Sequence, residues 1–106
     1  MPKFLLEARY TRDGVQGLQS AGGSSRRDAI AKMTEGLGGK LEAFYFAFGD
    51  ADAYVIVDVP DNEIATAVAL AVNAAGGATV KTVVLVTPEE VDAAAQRSVE
   101  YRPPGA

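Results

Sequence analysis

The sequence predicts an α+β fold: a four-stranded antiparallel sheet, two helices on one of its faces, and a further helix at the C-terminal end. Three observations lead there. The stretch from Leu37 to Pro60 holds two strand-length apolar runs, Lys40–Phe48 and Ala53–Val59, around the turn residues Gly49-Asp50-Ala51-Asp52, which reads as a β-hairpin. A helical stripe precedes it (Ala29, Ile30, Met33, Leu37) and another follows it (Ile64, Val68, Ala71, Val72, Ala75). Outside these lie two more strand candidates, Lys3–Tyr10 and Thr79–Val86. The order β-α-β-β-α-β, two split β-α-β units sharing a central hairpin, is the ferredoxin-like arrangement.

Each element has its own warrant. In KFLLEARY, Phe4, Leu6, Ala8 and Tyr10 share one apolar face, while Lys3, Leu5, Glu7 and Arg9 share a mixed one. Thr11–Ser24 carries four glycines and is expected as a loop, with Val15 and Leu18 pinning a single helical turn. Ser25 and Asp28 suggest a capped helix start, and the helix is expected over Arg26–Leu37 with Gly38-Gly39 as its stop. In the hairpin, Ala53, Val55, Val57 and Val59 form one face of the later strand, and Asp52, Tyr54, Ile56 and Asp58 the other. The earlier strand is apolar on both sides: Leu41, Ala43, Tyr45 and Ala47 oppose Glu42, Phe44, Phe46 and Phe48, which suggests a sheet covered on both faces.

Asp61 caps the next helix, whose alanines permit close approach to a neighbour and which Gly76-Gly77 ends. Thr87-Pro88-Glu89-Glu90 starts the last helix with a capping box, expected to run to about Ser98. One domain, residues 1–98, is expected, with 99–106 as a loose or partner-clasping tail.

Composition excludes several function classes. The 106 residues include no cysteine and no histidine, so thiol catalysis, disulfides and the usual zinc, copper and haem ligand sets are not expected. No cofactor and no metal is expected. A net charge of −4 argues against nucleic acid as a partner. The sequence has no apolar run of membrane-spanning length and no secretory leader, so a cytoplasmic protein without membrane contact is the expectation. Two helices on one face would leave the other sheet face bare with Tyr54 and Ile56 on it, and pairing of two such faces in a homodimer is the expected solution.

The succession RDAIAKMTEGLGGKLEAFYFAFGDADAYVIVDVPD resembles the GYD domain family of the dimeric α/β-barrel superfamily. The pieces that carry the likeness are Leu37-Gly38-Gly39-Lys40, Phe44-Tyr45, Gly49 with Asp52, and Pro60-Asp61, and the similarity spans most of residues 3–92. The chain reads Gly49-Asp50-Ala51-Asp52, so the tyrosine of the Gly-Tyr-Asp signature is absent. The resemblance implies a ferredoxin-like homodimer and no particular activity. Superfamily relatives include cofactor-independent monooxygenases, lactone isomerases and ligand-sensing domains.

Candidate site residues follow from residue type and face. Asp50 and Asp52 suit the hairpin turn first, with Asp52 the weak candidate for a catalytic base. Tyr10, Tyr45 and Tyr54 could donate to a substrate carbonyl, although core or interface filling is the commoner use. Glu7, Arg9, Tyr54 and Ile56 share the face opposite the core stripe and are the expected lining of any ligand pocket. Arg26 and Arg27, at a helix start, could recruit an anion. Three function classes result. A homo-oligomeric small-ligand binding or sensing module ranks first, with a small apolar or aromatic ligand. A cofactor-independent oxygenase or isomerase comes second, and a structural oligomerisation unit third.

Overall fold

A computed structural model describes residues 1–105. The elements are β1 (Lys3–Tyr10), α1 (Arg12–Ala21), α2 (Gly23–Gly36), β2 (Lys40–Phe46), β3 (Ala53–Asp58), α3 (Asn62–Ala75), β4 (Ala78–Leu85) and α4 (Pro88–Ala95). The four strands form one antiparallel sheet in the order β2-β3-β1-β4. This is the ferredoxin-like order, with β1 and β3 at the centre.

The core lies between one sheet face and the helices α2 and α3. Phe4 and Leu6 of β1, Val55 and Val57 of β3, and Ala65 and Val68 of α3 are its buried centre, with Ile30 and Met33 of α2 packed against them. Period-two alternation places these side chains as expected: every odd residue from Ala53 to Val59 is buried, and every even one from Tyr54 to Asp58 is only half-buried. The opposite sheet face is open. Leu5 and Glu7 on β1 lie opposite Ile56 and Tyr54 on β3, and Glu7 also faces Lys81 on β4.

Two expectations need correction. Residues 12–21 form a helix of 10 residues where a glycine-rich loop was expected. Thr11 caps it, its Oγ1 accepting the Gly14 N–H at 3.2 Å, and Asp13 sits in the positive first turn. Glycine lowers helix propensity here, yet Gly14 is required by packing: a Cβ there would overlap the Gly77 carbonyl oxygen. The cap and the close approach outweigh the propensity.

The second correction concerns β2. A bulge between Leu41 and Ala43 shifts the register, so Leu41, Phe44 and Phe46 pack on the core while Ala43 and Tyr45 face outward, opposite Ile56 and Tyr54. Tyr45 is 71% exposed, so this strand is not buried on both faces within the chain. The bulge explains the two-sided apolar pattern: one inserted residue moves an apolar set from one face to the other.

Smaller differences lie at the ends. α2 begins earlier than expected, after Gly22, and no side chain caps it; Asp28 instead pairs with Arg27 at 3.2 Å. α3 has the expected Asp61 cap, whose Oδ1 accepts from Ile64 N–H at 2.9 Å, and it ends at Gly76 in the left-handed region. α4 carries the complete capping box of Thr87 and Glu90 but stops at Ala95. It makes no extended contact with the sheet or the other helices, and the molecule is elongated accordingly, 56 × 33 × 22 Å.

Candidate ligand site

The alanines of α3 do not bring it against α2. α2 packs on β2 and α3 on β4, and the two helices share no extended contact. Between them lies a cleft of about 500 Å³, lined also by α1. That volume is within the range of small-molecule sites. Ala71 and Ala75, expected in the buried stripe of α3, are exposed on one wall. Gly14, Gly17 and Ala21 of α1 form another, and Ala29 and Met33 of α2 the third. Small side chains on three helices, each held to the sheet by its own contacts, leave this space unfilled.

Among the residues lining the cleft, Arg26 is the one charged side chain and Ser25 supplies a hydroxyl. Both come from the first turns of α2, where the lack of a side-chain cap leaves the positive end of the helix open. Arg26 also borders a smaller recess of about 30 Å³ that continues towards the core past Tyr10, Met33 and Val72. Arg26 and Tyr10 line that recess together, and the guanidinium is a nearby positive charge for the phenol. Burial nonetheless raises the phenol above its ordinary value of 10.0, with Arg26 opposing that rise and the Asp52 carboxylate adding to it. At neutral pH Tyr10 therefore keeps its proton and can donate it in a hydrogen bond.

Asp52 holds Tyr10 in place. Its Oδ2 accepts the Tyr10 backbone N–H at 2.8 Å, its own N–H donates to Ala8 O at 2.8 Å, and its carbonyl accepts from Ala47 N–H at 2.9 Å. These bonds tie the hairpin loop to the end of β1. The Asp52 carboxylate thus accepts from a backbone amide of β1 rather than from one in the hairpin turn itself.

The residues expected to line a pocket lie on the open face, away from the cleft. Glu7 and Arg9 border a recess of about 190 Å³ with Asp50, Ala51 and Lys81, and Arg9 Nη1 donates to Asp50 O. Tyr54 and Ile56 share their sheet face but are not in that recess. Among the described residues, no cluster of three or more Asp or Glu side chains could hold a metal ion, and no helix is long and apolar enough to cross a membrane.

The GYD domain model matches residues 4–95. The chain belongs to the GYD domain family. No curated protein and no solved structure matches it. Within this GYD domain, the residue immediately before Asp52 is Ala51, which is buried and lines the recess beside Glu7 and Arg9. The tyrosine that Asp52 bonds is Tyr10, through its backbone N–H, and it is supplied by β1 rather than by the hairpin.

Residue type and position mark Arg26 as an anion-recruiting residue and Tyr10 as a donor, but no local signal in the sequence joins them. The cleft wall has no such signal either. Gly14, Gly17, Ala71 and Ala75 carry no chemistry of their own, and their spacing reads equally as close helix packing.

Proposed function

We propose that this GYD domain is a homo-oligomeric small-ligand binding module whose ligand occupies the cleft between α1, α2 and α3. The observation that carries the reading is the cleft itself: about 500 Å³, small apolar walls, and polar groups gathered near Arg26. Sites for small molecules combine these features, an apolar body and a few orienting groups. Few residues on the chain suit acid–base chemistry at neutral pH, and the Asp52 carboxylate is taken up by backbone donation, which favours binding over catalysis.

The open sheet face supports pairing with a second copy. Leu5, Tyr54, Ile56 and Leu85 are half-buried there, and Val83 is 39% exposed, with no element of the chain covering them. In this reading Glu7, Arg9, Tyr54 and Ile56 belong to the pairing face, and the recess beside Glu7 and Arg9 is closed by the second copy. α4 and the tail, with Val91, Val99 and Tyr101 exposed, reach towards that copy.

The test is a fragment screen by NMR on the intact protein, using small apolar molecules. Saturable shifts at Leu18, Ala29, Ala71 and Ala75 are expected. Shifts confined to the open sheet face, or none, would overturn the assignment of the cleft.

A further inference from the structure

The cleft carries information about the class of ligand. Its lining contains no Asp or Glu, although the chain has 14 of them and a net charge of −4. Lys3 has two carboxylate partners, Glu42 and Asp58, each at 2.9 Å, and Arg27 has Asp28. Among the described residues no carboxylate pairs with Arg26, which is half-buried where the cleft meets the deeper recess. A guanidinium withdrawn from water without a counter-charge is costly, and an anion arriving in the cleft would offset that cost.

From the cavity, the unpaired guanidinium and the adjacent phenol, we infer that the ligand is a small apolar carboxylate whose head group meets Arg26 and the Tyr10 hydroxyl. The inference rests on the cleft being the binding site, as proposed above. The planar guanidinium matches a carboxylate in two parallel hydrogen bonds, and the phenol supplies a further donor. Tyr10 remains a protonated donor at neutral pH because burial disfavours its anion. A single cation suits a monoanion better than a phosphate dianion. The apolar walls formed by Leu18, Met33 and Val72 fit a hydrocarbon or aromatic body.

The experiment compares benzoate, phenylacetate and hexanoate with their neutral amides by NMR titration, reading Met33, Ala71 and Ala75. The acids are expected to bind roughly tenfold or more tightly than the amides, the scale of a charge-assisted hydrogen bond lost. Arg26→Gln is expected to abolish that preference, bringing acid affinity down to that of the amides. Tyr10→Phe is expected to reduce acid binding by less. Equal affinity for acids and amides at the same resonances would overturn the inference and leave the cleft as a binding site. Absence of any shift at these resonances would overturn both. Retained acid preference in a folded Arg26→Gln protein would also overturn the inference, and the melting temperature of each variant establishes that it is folded.

Discussion

The Asp52 carboxylate accepts the backbone N–H of Tyr10 at 2.8 Å, across 42 positions of sequence. That bond links the hairpin loop to the strand end that carries Tyr10, which lines the deeper recess together with Arg26. Asp52, the weak catalytic candidate of the hairpin loop, thus has its carboxylate engaged by the backbone of a residue that lines the deeper recess.

Asp52→Ala should cost about 1–3 kcal/mol of stability, the range for a lost hydrogen bond to a charged group. Asp52→Asn keeps an acceptor oxygen in the same place and should cost about 1 kcal/mol or less. Urea denaturation of the two variants checks the pair. A larger loss for the asparagine variant than for the alanine variant would mean that the charge does something the Tyr10 bond does not explain.

Two glycines of α1 should respond to alanine with opposite signs. At Gly17 a Cβ meets nothing, so Gly17→Ala should stabilise by about 0.5–1 kcal/mol through helix propensity. At Gly14 the added Cβ overlaps the Gly77 carbonyl oxygen, so Gly14→Ala must push α1 off the α3–β4 turn. A loss of about 1–3 kcal/mol is expected. Thermal melts of both variants read the contrast.

Stability should fall in alkali partly through Tyr10. Its folded-state phenol ionises above the ordinary value of 10.0, chiefly because of burial. Between those two values the folded chain holds more protons than the unfolded one, so stability declines as pH rises through that window. The contribution is fully present below about pH 10. Lys3, raised above 10.5 by its hydrogen bonds to Asp58 and Glu42, adds a decline at slightly higher pH. The difference in stability between wild type and Tyr10→Phe, measured from about pH 8 to about pH 11, isolates the phenol. It should be constant at the lower end and move in favour of the phenylalanine variant at the upper end.

The architecture was legible where local signals agree. The alternation in β1 and β3, the Asp61 cap and the Thr87–Glu90 box each depend on a few neighbouring residues, and each formed as expected. The bulge in β2 was not legible, because Leu41, Phe44 and Tyr45 are apolar in either register and only pairing with β3 decides between them. α1 was not legible because the glycines of Thr11–Ser24 read locally as a loop, while the contact of Gly14 with the Gly77 turn is long-range. The cleft arises from the separation of α2 and α3, which no single segment encodes. Arg26 and Tyr10 were visible as chemistry without a shared place.

Pairing through the open sheet face should be sensitive to charge at its centre. Wild-type protein is expected to scatter light at twice the chain mass of 11.0 kDa, and Ile56→Glu at 11.0 kDa with its fold intact. Ile56 is only half-buried within the chain, so the substitution should cost little stability in the monomer. A wild-type protein that scatters at 11.0 kDa at micromolar concentration would remove the pairing from the account.

The claim that the cleft between α1, α2 and α3 is the ligand site is tested most directly by filling it. Ala71 lies exposed on its α3 wall, so Ala71→Phe adds a ring to the cleft while Arg26, Tyr10 and the core residues are left unsubstituted. Calorimetric titration of phenylacetate into wild type and into Ala71→Phe is the measurement, with melting temperatures recorded for both. Saturable one-to-one binding to wild type, abolished in a variant that melts at the same temperature or higher, is the predicted result. Unchanged phenylacetate affinity in Ala71→Phe would contradict it.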